Sequence, residues 1–386
     1  MKVDILFPAL PPALDGIGDH TSHFARRLAS YATVRVLTAQ KDALPIPGVS
    51  IQRAFATASR SSINQVLNAV RTSPPDVLLV EFNQFSYGRW GLNPHLPWLL
   101  QSIKRHLPSI RIAWMAHEDM VPGTSWKNRV MRLWQQRQFL QIGRAADVIF
   151  FSIQPWVQQY GSWFPETPVY QLPVGSNMPH LGTSQQSARQ ELGISPDKFV
   201  VGLFGTMHAS RMLPLVRDSV QALYNRIPDR LQVLYVGPDG DTVRDTLGSL
   251  PLTDAGRLPA EEVSVHLTAS DLHLAPFIDG MSARRGSVLA ALQHGLPVVS
   301  TVGPLTDPFF RAVNGTSILL APVHKPRRLF EHVVAAFDSS DRRIQMGRSA
   351  RRLYETHLSF DVAIRTFLRA LKIPAAHEDR APHAVV

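Results

Sequence analysis

The sequence predicts an α/β protein of two open domains, each a parallel sheet covered by helices on both faces. Three observations predict it. Short β-rich runs alternate with helical patterns through the first half. A polar, turn-rich stretch, "SNMPHLGTSQQSARQELGISPDK" (176–198), then interrupts them, as a linker does. After it the alternation resumes. The 386 residues are enough for two ordinary domains, each with its own core.

In the first half the expected strands are 3–8, 34–39, 76–82, 110–117, 147–152 and 169–175. Helical patterns fill 18–31, 61–71, 94–106, 126–145 and 154–163. In the second half the strands are 199–205, 231–237, 271–277, 296–301 and 316–322, with closing helices from about 325 to 371. Two such domains are expected to leave a ligand cleft at the carboxyl ends of their sheets.

Composition narrows the chemistry. There is no cysteine, which excludes a disulfide framework and any thiolate nucleophile or metal site, and fits a reducing compartment. The start, "MKVDILFPALPPALDG", reads as a first strand and not a signal peptide. No run of about 18 apolar residues is present, so no membrane span is expected. The formal charge of +10 and pI near 10.2 favour anionic partners or a merely basic surface.

The strongest candidate site is "DGMSARRGSVLAALQHGLPVVST" (279–301). A strand feeds a loop, and the loop feeds a helix starting near Ser287 with no polar face. Gly295 and Pro297 stop that helix. A buried helix N-terminus carries unsatisfied N–H groups and a partial positive charge. With Ser282, Arg284, Arg285, Gly286 and Ser287 around it, the place suits a phosphate or diphosphate. The alternative is arginines that are solvated or paired with carboxylates.

Three weaker candidates share the same strand-end position. In "FGTMHASRMLPLV" (204–216), Gly205 precedes a short loop, and Arg211 reads either as a second anion ligand or as a surface group. In "PPALDGIGDHTSHFARRLA" (11–29), Gly16 and Gly18 allow close backbone approach, while Asp19 and His20 read as ligand groups, caps or surface groups. In "WMAHEDM" (114–120), His117 ends a strand, with a structural role as its alternative. Residues 126–145 read either as an interfacial helix on anionic lipid or as an ordinary helix with a solvated basic face. Metalloprotease, serine-hydrolase and phosphate-loop kinase motifs are all missing, as is a close aspartate pair for a metal-bound diphosphate.

Together these stretches resemble the family 4 glycosyltransferases of the GT-B fold, from Met1 to about Leu371. "LDGIGDHTSHFARRLA" is similar to the family's glycine loop, "MAHEDM" to its strand-end histidine, and "LPVGSN" (172–177) to the end of its first domain. "GRLPAEEVSVHLTASDLHLAPF" (256–277) is similar to the stretch whose first residues hold the nucleotide base in the family, which puts Gly256 and Arg257 near the base, and "ALQHGLPVVSTVG" to the strand and helix behind the donor site. "YETHLSFDVAIRTFLRAL" (354–371) resembles the helix that crosses back. The resemblance implies an acceptor-binding domain over 1–180, joined by a C-terminal helix 357–373, and a nucleotide-sugar domain over 181–356. A disordered tail would follow at 374–386.

It further implies a retaining hexosyl transfer from a nucleoside-diphosphate sugar, without metal or cofactor, to a glycan, lipid-linked or small acceptor. A cytoplasmic enzyme, with peripheral association at the inner membrane face, is the corresponding localisation. His117, Arg211 and Arg285 would be catalytic. Gly16, Gly18, His20, Gly205, Gly256, Arg257, Ser282, Arg284, Gly286 and Ser287 would join Arg211 and Arg285 in binding the donor. The chain departs from the family where two glutamates stand eight positions apart, for it has Ser282 and Ala290 there. Thr206 stands where the family has an arginine, and Arg211 where it has a lysine. A nucleotide-sugar-binding protein without turnover, a nucleotide-sugar epimerase and a nucleic-acid binder are the competing readings. The last has no recognised motif or aromatic platform.

Overall fold

The computed structural model of the chain describes residues 1–56 and 60–372. The expected tail, 374–386, lies outside them. The chain divides into two compact units, Met1–Pro173 together with the chain from Phe360, and Val174–Ser359.

The first unit holds a seven-stranded sheet of β1 (Lys2–Leu6), β2 (Thr33–Thr38), β3 (Val49–Arg53), β4 (Val77–Phe82), β5 (Arg111–Ala116), β6 (Val148–Phe151) and β7 (Val169–Gln171). All pairs are parallel, in the order β3-β2-β1-β4-β5-β6-β7. Apart from the β2–β3 connection, each crossover runs through a helix: α1 (Gly16–Leu28), α2 (Arg60–Thr72), α3 (His95–His106), α4 (Trp126–Ala145) and α5 (Gln154–Gly161). Strands buried on both faces need continuous apolar runs, and β4, "VLLVEF", is buried at every position. Its one charge is Glu81. The core on the β5 side is aromatic: Trp114 packs against Phe139 at 4.7 Å, Phe82 at 5.8 Å and Phe151 at 6.1 Å between ring centroids.

The second unit repeats the plan with six strands: β8 (Phe199–Phe204), β9 (Leu231–Val236), β10 (Leu252–Asp254), β11 (Leu272–Ala275), β12 (Val298–Val302) and β13 (Ile318–Pro322). Their order is β10-β9-β8-β11-β12-β13, again parallel throughout. Its helices are α6 (Gln185–Glu191), α7 (Leu213–Tyr224), α8 (Gly240–Leu247), α9 (Ala260–Ala269), α10 (Gly286–Gln293), α11 (Pro308–Ala312), α12 (Pro326–Asp338) and α13 (Ser340–Leu353). A π-helical turn, Tyr354–Leu358, follows α13. The last helix, α14 (Phe360–Ala370), belongs to the first unit and packs on α1 through Phe367 and Phe24, 5.5 Å apart.

Two features differ from the sequence reading. Strands β3 and β10 were not expected. Both are sheet edges, only partly buried, so their hydrophobic signal is weak. The polar stretch 176–198 is not a free linker. It folds α6 into the second unit, where Arg189 donates to the Asp271 carboxylate at 2.6 Å and to the Ala269 carbonyl.

In an open parallel sheet, loops diverge where strand order reverses, and ligand groups gather at the carboxyl ends there. Those points are β1/β4 in the first unit and β8/β11 in the second. Trp114→Ala should cost the first unit about 3–5 kcal/mol by emptying the aromatic core. A chemical-denaturation midpoint unchanged from the parent would show that this core is not what holds β5 in place.

Candidate functional site

At the second unit's switch point the chain after β8 turns at Gly205, whose φ of +95° favours glycine. A Cβ there would lie 3.5 Å from Ser287 and 3.6 Å from the Arg211 guanidinium. Arg211 is 9 % exposed. It donates to the Phe204 carbonyl at 2.6 Å and to the Ser287 hydroxyl at 2.7 Å, and lies 4.8 Å from the Phe277 ring. A bridge from Arg211 to Phe277 fixes its backbone against the chain after β11. Burial, with Arg285 nearby, lowers its pKa to about 10, so it stays charged at neutral pH. Of the two sequence readings, the surface arginine is wrong.

Arg285 is the N-cap residue of α10, and no side chain caps that helix. Its guanidinium lies 4.3 Å from the Phe277 ring centroid, so one aromatic ring carries two cations. Arg284 and Arg285 both donate to Asp279, at 2.6 and 2.5 Å, and Arg285 also reaches the Ser210 hydroxyl. The paired-arginine alternative therefore holds in this structure. Asp279 gathers the two guanidinium groups at the start of a helix whose Val288 to Leu292 are buried. Gly286 opens the helix, one residue before the expected start. Ser282 and Ala290 are both fully buried.

The expected base-side residues lie beside this cluster in the same unit. Gly256, with φ +66°, and Arg257 line a recess of about 490 Å³ together with Gly237, Asp239 and Asp254. Asp239 accepts from the Met207 amide at 2.8 Å, and Tyr235 donates to the Gly205 carbonyl at 3.1 Å. The recess is thus wired to the Gly205 turn by hydrogen bonds.

The first unit's switch point is built differently. Asp15 caps α1, accepting from the Ile17 and Gly18 amides at 2.8 and 2.9 Å. Those two amides are spoken for by the chain itself, unlike the start of α10. Gly18 is needed for packing, because a Cβ would lie 2.8 Å from the Ala9 carbonyl oxygen. Gly16 meets no such constraint, and a Cβ there would enter open space. His20 is neither a cap nor a surface group. It is buried beside Glu81 and His117, with one ligand atom from each of the three lying within 4.8 Å of the others. Glu81 Oε2 is 2.5 Å from His117 Nε2, and Glu81 Oε1 is 3.7 Å from His20 Nε2. Burial would raise the Glu81 pKa, but the histidines outweigh it and hold the carboxyl well below its usual range. Burial holds His117 below its ordinary value against the pull of Glu81.

The structure therefore brings Gly205, Arg211, Arg284, Arg285, Gly286 and Ser287 together, and separately gathers His20 with His117. Sequence reasoning missed Glu81, Phe277 and Asp279. A single carboxylate in the apolar run "LLVEF" was a signal for the first. An acid five residues before "RR" was a signal for the last.

Two histidines of the second unit supply a pH prediction. His273, on β11, is lowered to about 3 by burial and by Arg211. His294, at the end of α10, is lowered to about 4, chiefly by burial; its Nδ1 bonds the Ala290 carbonyl and its Nε2 the Ser264 hydroxyl. Both stay neutral in the fold at pH values where the unfolded chain takes up protons, so stability is lost as pH falls below about 6.5. The slope should approach about 1 kcal/mol per pH unit for each histidine down to pH 5, and His273→Leu should flatten it. Equal urea midpoints at pH 7 and pH 5 would contradict neutral burial of these rings.

No family model matches the chain, and no curated protein matches its sequence significantly. Solved structures do match. Sucrose-phosphate synthase from Thermosynechococcus elongatus superposes with a TM-score of 0.72 at 13 % identity, over 96 % of this chain and 98 % of that one. WaaG, a glycosyltransferase involved in lipopolysaccharide biosynthesis, gives 0.69 at 14 % identity, over 96 % and 99 %. HepE from Anabaena, solved in complex with UDP-glucose, gives 0.67 at 14 % identity, over 96 % and 99 %. With its two parallel sheets and these matches over nearly its whole length, the chain has the GT-B fold.

Proposed function

We propose that the protein is a glycosyltransferase that takes a sugar from a nucleoside-diphosphate donor, with retention of configuration and without a metal. The observation that carries this reading is the second unit's cluster: Arg211 bonds Ser287 in the first turn of α10, whose start no side chain caps, and Arg284 and Arg285, just before that turn, share Asp279. Three guanidinium groups against Asp279, and against the buried Asp307 that accepts from the Ala283 amide at 2.7 Å, leave an excess of positive charge. A departing nucleoside diphosphate needs such a site, because stabilising its developing charge is the main electrostatic task of the transfer. The solved complex of HepE with UDP-glucose, on the same fold, supports a nucleotide sugar as the donor. Gly256 and Arg257 are read as the base side, and Gly16 and His117 as the first unit's contribution to the sugar.

The first unit's surface supports reading the acceptor as membrane-linked. Helix α4 has five basic residues and no acidic one. Trp126 and Leu133 on it are 69 % and 70 % exposed, and Trp90, at a positive φ of 63°, is 62 % exposed beside it, its carbonyl accepting from the Trp134 indole. Exposed tryptophans interleaved with arginine and lysine suit an anionic lipid surface. Among the described residues no helix is long and apolar enough to cross a membrane, so the association would be peripheral.

The second reading is a protein that binds nucleotide sugar without turnover. It is favoured by the fully buried Ser282 and Ala290 at the places of the family's glutamates.

Arg284→Ala with Arg285→Ala should weaken nucleoside-diphosphate binding at least tenfold in calorimetry while leaving the fold intact. Equal affinity in the double variant would remove the diphosphate from this site. Sedimentation with phosphatidylserine vesicles should carry the parent down at low salt and lose Trp126→Ala/Leu133→Ala. No difference between the two would reduce α4 to an ordinary solvated helix.

A further inference from the structure

In the first unit a carboxylate has been placed where only a specific partner justifies it. Glu81 is fully buried in an otherwise apolar strand. Leaving a buried carboxylate unpaired costs several kcal/mol, about as much as a large core truncation, whereas an apolar residue there would cost nothing. The parallel register sets its partner. Glu81 pairs with Met115, and the His117 amide donates to the Phe82 carbonyl at 2.9 Å, so the histidine stands two residues past Glu81's register partner and its ring reaches back to the carboxylate. The Tyr87 hydroxyl sits at the strand end, 2.8 Å from both the Glu81 and the Leu6 carbonyl oxygens, which share its one hydrogen. His20 closes the other side. Its ring lies 4.8 Å from His117, edge-on, and stacks on Phe24 at 5.7 Å and Phe360 at 5.5 Å.

We infer that Glu81 is a positioning residue: it fixes the His117 proton on Nε2, so that His117 offers Nδ1 as an acceptor to a neutral hydroxyl of the substrate. The chemistry is simple. An ionised carboxylate can only accept, so the ring nitrogen 2.5 Å from it must be the donor. Which imidazole nitrogen carries the proton is set by the bond the other nitrogen makes. A neutral ring with its proton on Nε2 has its lone pair on Nδ1. A lone pair beside a buried carboxylate attracts a hydroxyl hydrogen and repels a phosphate or carboxylate. The site therefore selects an uncharged sugar over a uronic acid or a phosphosugar. His20 Nε2 stands 3.7 Å from the second oxygen of the same carboxylate.

The inference rests on reading His117 as a sugar contact, and the experiment separates the two. Glu81→Gln keeps the shape but lets an amide either donate or accept, which frees the tautomer. Three measurements are made on the full chain: long-range ¹⁵N–¹H NMR of His117, assigned with His117→Ala; calorimetric affinity for the nucleoside diphosphate; and kcat and KM. The parent should show the Nε2–H form, and Glu81→Gln a mixture. Diphosphate affinity, held by the other unit, should stay within about twofold, showing that the variant is folded. The kcat should fall about 10–100-fold, the usual effect of losing the outer partner of an oriented histidine. Glu81→Asp should recover part of it. An Nδ1–H form in the parent, or an unchanged tautomer and kcat in Glu81→Gln, overturns the inference. So does a stoichiometric zinc ion in the purified parent that is lost in Glu81→Gln, because the carboxylate would then be a metal ligand. If the parent turns over no nucleotide sugar while its tautomer is as stated, the glycosyltransferase reading falls and the role of Glu81 in holding His117 stands.

Discussion

Burying a guanidinium is expensive, and much of the second unit's site can be derived from how the expense of Arg211 is met. With 9 % of its surface exposed, it needs hydrogen-bond acceptors and a polarisable face close by. The end of β8 supplies the Phe204 carbonyl, the first turn of α10 supplies Ser287, and the chain after β11 supplies the Phe277 ring. Three elements that meet at the reversal of strand order are thereby tied to one side chain. Once Arg211 is fixed, Gly205 has to turn tightly past it, and Arg285 takes the remaining space over Phe277. Asp279 then offsets part of the repulsion between cations gathered so closely. An anion arriving at α10 meets groups that are already oriented, so little is lost in ordering them.

The first unit solves the opposite problem with opposite charge. Its switch point holds a buried carboxylate between two imidazoles, and its helix N-terminus is already capped by Asp15. The two parallel sheets follow one plan and present different chemistry: cations and an uncapped helix in one, a carboxylate-backed histidine in the other.

Much of this is legible in the amino-acid sequence. Eleven β-rich runs and the break after Gly175 sufficed for two parallel-sheet domains, because strands buried on both faces have to be apolar along their length. Edge strands obey no such rule, which is why Val49–Arg53 and Leu252–Asp254 escaped notice. The arginine loop was legible from its place between a strand and an apolar helix. Its counter-ion was not, because the pairing of Asp279 depends on how the loop folds back and not on spacing. Arg211 was undecidable for a related reason: only the bridge to Phe277 turns it inward. His117 could be named from its strand end, whereas its partner Glu81 lies 36 residues earlier and meets it only through the β4–β5 register.

The account stands on the second unit's cluster being an anion site for a nucleotide sugar. The most direct test is a thermal-shift screen of the intact protein with UDP, GDP, ADP, CDP and dTDP and their common sugars, since a ligand of the folded state raises the melting temperature with RT ln(1 + [L]/Kd). The account predicts a clear shift with one base, larger for the diphosphate than for the matching nucleoside. A flat response across the whole panel would contradict it.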